Sequence, residues 1–162
     1  MAVEIVQVTE LASGEFAPIV ADSESDGWRF LRRLVDDWTS GVNRFDRPGE
    51  ALFVARIDGC VVGVCGLNLD PYTSDEATGR VRRLYVLQSH RSKGIGQRLV
   101  KAVIAAASGR FRRLRVRTEN AAATRLYERL GFEPVVGNAD CTHILEFQLP
   151  KSEPNEPAPR DL

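Results

Sequence analysis

The sequence is poor in several things that would each announce a function. Lys plus Arg and Asp plus Glu both number 22, so no net charge is left to grip nucleic acid. No apolar run reaches the roughly 18 residues of a membrane span. The start, Met1-Ala2-Val3-Glu4, has no basic stretch followed by an apolar one, so no signal peptide is expected. Cysteine is scarce: Cys60, Cys65 and Cys141 are odd in number and show no CxxC spacing. The two on predicted strands, Cys60 and Cys65, read as small buried hydrophobes, and a reducing cytoplasm is expected. The two histidines, His90 and His143, lie far apart with no Cys or carboxylate at ligand spacing, so no metal site is expected. Internal repeats are also absent.

What is present is an ordinary globular composition, 43% apolar and 27% charged over 162 residues, enough for one domain with one core. Val3 to Val8 alternates as a strand, and Trp28, Leu31, Leu34, Val35 and Trp38 recur at helical spacing up to Gly41. Both tryptophans are expected to pack on a sheet. Asn43 to Glu50 reads as a loop turning at Arg47-Pro48-Gly49. Ala51 to Ile57 and Cys60 to Leu69 are β-rich runs joined by Asp58-Gly59, a pair that suits a tight hairpin. Asp70 to Thr78 is a loop and Gly79 to Leu87 another strand. A helix from Ile95 stops at Gly109, and Arg112 to Thr118 alternates as a strand. Asn120 is a good N-cap for a short helix closed by Gly131, and His143 to Leu149 is a last strand. Residues 151–162, with three prolines and alternating charges, read as a disordered tail to a single domain over 1–150. One sheet covered by helices on both faces would bury the apolar faces, and the Asp58-Gly59 hairpin makes part of it antiparallel.

The informative stretch is Leu84-Tyr85-Val86 followed by Arg91-Ser92-Lys93-Gly94-Ile95-Gly96. A strand ends, a loop turns, and a helix begins on glycines. The first amides of a helix have no intrahelical partners and the helix dipole favours negative charge there. Gly94 and Gly96 let a phosphate approach the backbone, and Arg91 and Lys93 add charge. A helix start that needs glycine for close packing would look the same.

Arg91-x-x-Gly94-x-Gly96 after Leu84-Tyr85-Val86 resembles motif A of the GNAT N-acetyltransferases, Arg/Gln-x-x-Gly-x-Gly/Ala after a strand ending in Val. Asn120-Ala-Ala-Ala-Thr-Arg-Leu-Tyr127-Glu-Arg-Leu-Gly131-Phe132 is similar to motif B, Asn-x-x-Ala-x-x-x-Tyr-x-x-x-Gly-Phe. The resemblance spans about Ala51 to Leu149. It implies an α+β fold of three layers, αβα, around a mixed and mostly antiparallel sheet. It also implies an enzyme that moves an acetyl group from acetyl-CoA directly to a primary amine. By that resemblance the pantetheine arm pairs with Leu84, Tyr85 and Val86. The pyrophosphate rests on Arg91, Ser92, Lys93, Gly94, Ile95 and Gly96, with Gln97 near the turn. Asn120 bonds the pantetheine arm, and Tyr127 protonates the departing thiolate. By periodicity alone Tyr127 would be a core aromatic. Dimers are common among such proteins, so a homodimer is admitted.

Many relatives place a glutamate base at about the position of Arg80 or of Arg115 here, so the base is unassigned. Glu119, Asp75 and Glu76 stand nearby in sequence, and a water chain is an alternative. Strand alternation gathers Arg80 with Arg82, and Arg113 with Arg115 and Arg117. Arg80, Arg82 and Arg115 either favour an anionic small-molecule amine or form a face paired with Glu119, Glu133 or Asp75. A protein amine as acceptor, or acyl-CoA binding without catalysis, are the competing functions. His90 is expected only to shape the turn, and the cysteines lie outside both motifs, so no acyl-cysteine is expected.

Overall fold

The computed structural model describes residues 2–12 and 14–147. The expected tail and the end of the expected last strand lie outside the described residues. Seven strands form one sheet in the order β1-β2-β3-β4-β5-β7-β6. They are β1 (Glu4–Val8), β2 (Ala51–Ile57), β3 (Cys60–Leu69), β4 (Thr78–Val86), β5 (Arg113–Val116), β6 (Glu133–Pro134) and β7 (His143–Glu146). The helices are α1 (Ala17–Ser25), α2 (Phe30–Ser40), α3 (Ile95–Ala107) and α4 (Ala121–Arg129). Every pairing is antiparallel except β4 with β5, so the sheet is mixed and mostly antiparallel.

The β2–β3 turn shows why Asp58-Gly59 stands there. Both residues take positive φ, +50° and +79°, as a two-residue hairpin turn with the right twist requires. The sheet then buries both faces. Leu52, Val54, Val64 and Tyr85 pack against Phe16, Ile19, Leu31, Leu34 and Trp38 of the α1–α2 side. Ala55, Leu67, Val81 and Leu114 pack against Leu99, Val100, Val103, Tyr127 and Phe132 on the α3–α4 side. Strands covered on both faces read as nearly continuous apolar runs, which β3 does.

Helix α1 was not expected from the sequence. Its run APIVADSES has little amphipathic contrast and three small polar residues near its end. Tertiary packing forms it: Phe16 and Ile19 are fully buried, and Pro18 sits in the first turn, where its missing amide costs nothing. β6 was also missed, because two residues carry no periodicity. The other elements fall within a few residues of their expected bounds. Gly41 ends α2 at φ +83°, and Asn120 caps α4 by accepting from the amides of Ala122 and Ala123.

Candidate active site

β4 and β5 pair only over Thr78–Arg113, Gly79–Leu114 and Arg80–Arg115. Beyond Arg80 they diverge, and the later part of β4 has no strand partner on that side among the described residues. A bulge sharpens the divergence: the β3–β4 register slips between Val64 and Gly66, and Arg83 is left at φ +62°. The amide of Leu87 bonds the carbonyl of Val62, so alternation turns the amide and carbonyl of Val86 towards the opening. That amide is available for an added strand. The carbonyl is taken, accepting from Arg91 Nε at 3.1 Å.

At the mouth of the opening the chain passes a 3-10 turn at Gln88–His90 and enters α3. Ser92 and Gly94 take positive φ, +63° and +79°, folding the loop back so that the helix starts on Gly94. No side chain among the described residues caps α3, and the first bond back to Gly94 comes from Arg98. The amides of Gly94, Ile95, Gly96 and Gln97 therefore lack intrahelical partners, the condition for holding an anion. A Cβ on Gly96 would lie 3.4 Å from Leu126 and 3.8 Å from Val86, so the absent side chain keeps the floor between strand and helix clear.

Between these elements lies a cavity of about 1010 Å³. Its walls include Leu84, Tyr85, Val86, Arg91, Ser92, Gly94, Ile95, Gly96, Gln97, Asn120 and Tyr127, with Arg80 and Arg82 further along. Lys93 and Arg115 do not line it. Lys93 is exposed on the outside of the turn, and Arg115 is buried beside it. Asn120 spends its side-chain oxygen on the helix cap, which leaves its amide nitrogen for a ligand. Tyr127 is buried edge-on to Phe132, ring centroids 5.3 Å apart. Burial, and to a lesser degree Cys65, pushes its phenol well above the ordinary range. It is protonated at any working pH.

Tyr85 turns its side chain to the other face of the sheet. Its hydroxyl donates to Asp22 at 2.6 Å, and the same carboxylate accepts from the amide of Gln88 at 3.1 Å. Arg91 lies over the Tyr85 ring and pairs with Asp26 at 2.7 Å. The end of α1, unread in the sequence, thus anchors the whole β4–α3 turn. His90 joins only Ser89 by a side-chain hydrogen bond.

The arginines of β4 and β5 divide into two groups. Arg80 and Arg115 are neighbours across the strands and both turn onto the fully buried Asp70, at 3.7 and 3.1 Å. Arg80 also donates to the carbonyl of Asp140 and stacks on Tyr72. Burial pulls the Arg80 guanidinium below its ordinary range. Burial also opposes the Arg115 charge, but Cys141 and Asp70 outweigh it and raise that group. Asp70 Oδ2 and Arg80 Nη1 have no hydrogen-bond partner among the described residues, so attraction of charge holds this trio more than hydrogen-bond geometry. Arg113 pairs with Asp75 and Glu146, and Arg117 with Glu119. Arg82 and Arg83 line the cavity, and Arg33 of α2 joins them. Arg33 and Arg83 were not singled out in the sequence. Neither stands at a motif spacing, and the bulge that turns Arg83 inward has no sequence signal.

Glu119 is the one carboxylate among the described residues lining the cavity. No group of three or more His, Cys, Asp or Glu among the described residues is placed to hold a metal ion. No helix among them is long and apolar enough to cross a membrane.

A strand splayed from its parallel neighbour, with a glycine turn opening a helix at the mouth, is the frame of an acyl-CoA N-acyltransferase fold. The acetyltransferase (GNAT) family model matches residues 7–132, and the chain belongs to that family. A candidate acetyltransferase from Exiguobacterium sp. 255-15 superposes with a TM-score of 0.80 at 30% identity, covering 90% of this chain and 94% of that one. A GNAT family acetyltransferase from Brucella melitensis, solved with acetyl-CoA, gives 0.69 at 18% identity, covering 91% and 90%. The candidate acetyltransferase YncA from Salmonella typhimurium, also solved with acetyl-CoA, gives 0.65 at 20% identity, covering 94% and 98%. No curated protein matches the chain.

Proposed function

We propose that this chain transfers an acetyl group from acetyl-CoA to a primary amine of a small molecule. The observation that carries the reading is the unpartnered edge of β4 at Val86, leading from the bare α3 amides at the mouth to the buried phenol of Tyr127. One end suits a pyrophosphate, the edge suits an amide-bearing arm, and the phenol suits a sulfur that must leave as a thiol.

Acetyl-CoA supplies the acetyl group as a thioester. The amides of Gly94 to Gln97 hold its pyrophosphate, and the Val86 amide and the Asn120 side-chain nitrogen orient the pantetheine. Holding donor and acceptor together supplies much of the rate. The acceptor amine forms the new C–N bond as the C–S bond breaks. Tyr127 gives its proton to the departing sulfur, a role suited to a phenol that burial keeps protonated. The proton shed by the amine passes to water, since Glu119 is already paired with Arg117. The aromatic side chains Trp28, Phe30 and Tyr72 in the cavity wall favour a compact acceptor over a protein segment. Three unpaired cysteines go with a cytoplasmic setting.

Thiol release from acetyl-CoA with a panel of small amines tests the reading. Amine-dependent release is expected. Acetyl-CoA that binds but yields no thiol with any amine or peptide would favour a binding module instead.

A further inference from the structure

We propose that Arg33, Arg82 and Arg83 form a binding site for an anionic group on the acceptor, so that the amine acetylated carries a carboxylate or a phosphate. The inference rests on the acetyl-transfer reading above and names the substrate class of that same cleft.

Five arginines on or beside the cleft already have carboxylate partners. Arg80 and Arg115 share Asp70, Arg91 has Asp26, Arg113 has Asp75 and Glu146, and Arg117 has Glu119. Among the described residues no carboxylate lies within ion-pair distance of Arg33, Arg82 or Arg83. Yet these three line one cavity, whose other arginines without a carboxylate partner among the described residues, Arg125 and Arg129, stand apart on α4. Like charges gathered in a partly desolvated wall repel unless an anion lies among them.

Arg83 makes the point most sharply. It is a non-glycine residue in the left-handed region, a conformation that costs free energy. Burial lowers its guanidinium to about 10, with Arg82 and Arg33 pushing the same way and Asp37 and Tyr72 opposing. Strain and desolvation are both accepted to aim one charge into the cleft. A guanidinium fork matches carboxylate and phosphate oxygens alike.

The position fits an acceptor rather than the cofactor's phosphates. Along β4 the order from the α3 turn is Val86, Leu84, Arg83, Arg82. Arg83 is three residues from Val86, roughly 10 Å along an extended chain. The pyrophosphate end is therefore the other end. Tyr72, whose ring lies under the neighbouring Arg80, would pack on the carbon skeleton between amine and anion.

The test uses calorimetry on the full chain. CoA is titrated first, then glutarate and inorganic phosphate are titrated separately into the CoA-loaded protein. Saturable binding of at least one anion is expected, weakened about tenfold or more in both R83Q and R33Q. The two arms tell a carboxylate from a phosphate. R33Q lies on an exposed helix position and guards against a folding defect in R83Q, and K101Q on the outer face of α3 should behave as wild type. In thiol-release assays an amino acid such as β-alanine, or 2-aminoethylphosphonate, should exceed β-alaninamide by about tenfold in kcat/KM, and R83Q should erase the difference. No saturable heat from either anion, wild-type affinity retained in both variants, or an amide as good as its acid would overturn the site. Failure of CoA to bind would remove the acetyl-transfer reading with it, whereas CoA binding without anion binding removes this site alone.

Discussion

The two ends of the cleft are built by different means. At the α3 end the groups left open are backbone amides, with no side chain at Gly94 and Gly96 to cover them. At the β4 bulge end the groups left open are long side chains, Arg33, Arg82 and Arg83, delivered from two elements far apart in sequence. A site made of backbone demands particular residues at fixed spacing, because only glycine permits the φ and the close approach. A site made of side chains demands only that some residue reach the right place. The first kind can be shared across a family, and the second can change with each member's acceptor.

The largest expected effect concerns the boundary between the ends. Asp70 holds Arg80 and Arg115 beneath the cleft, so Asp70→Ala leaves two buried guanidinia facing each other. A loss of about 3–5 kcal/mol in urea unfolding is expected. A change under about 1 kcal/mol would mean that the arginines find other partners, and the division between paired and free arginines would blur.

At the backbone end, Gly96→Glu places bulk and negative charge against the bare amides. Acetyl-CoA affinity should fall by about 100-fold or more, roughly 2.8 kcal/mol, with folding intact because the added Cβ meets only ordinary contacts. Near-normal affinity by calorimetry would move the phosphate site elsewhere. Between the ends, Tyr127→Phe should lower kcat by roughly 30- to 100-fold while the Kd for acetyl-CoA changes little. Equal losses in both would make Tyr127 a packing residue only.

A smaller effect tests the anchoring of the backbone end by α1. Burial opposes the charge of Asp22, but hydrogen bonds from Tyr85 and Gln88 and the charge of Arg91 outweigh it and hold its carboxyl below the usual range. A carboxyl depressed in the folded state adds stability above its unfolded pKa of about 3.9 and loses it as pH falls through the lower folded value. Wild type should therefore lose thermal stability below about pH 4 more steeply than Asp22→Asn. Parallel pH profiles would show that Asp22 does not fasten the turn.

The same contrast explains which features are legible in the sequence. The Asp58-Gly59 hairpin, the Asn120 cap and the Gly94–Gly96 helix start were legible because each needs a special backbone conformation or a local side-chain cap. Helix α1 was not legible, since packing of Phe16 and Ile19 forms it rather than an amphipathic pattern. Arg80, Arg82 and Arg115 were grouped by strand alternation. The structure separates them, because Asp70, from the loop after β3, claims two of the three. The bulge that brings Arg83 into the cavity in their place is a property of strand pairing, and no residue type in β4 signals it.

Amide hydrogen exchange with and without acetyl-CoA addresses the central claim most directly, since it reads the backbone itself. Slowed exchange is predicted at Val86 on the open edge and at Gly94 to Gln97 in the α3 turn, both in one saturable step. Unchanged exchange at these amides while acetyl-CoA demonstrably binds would contradict the account.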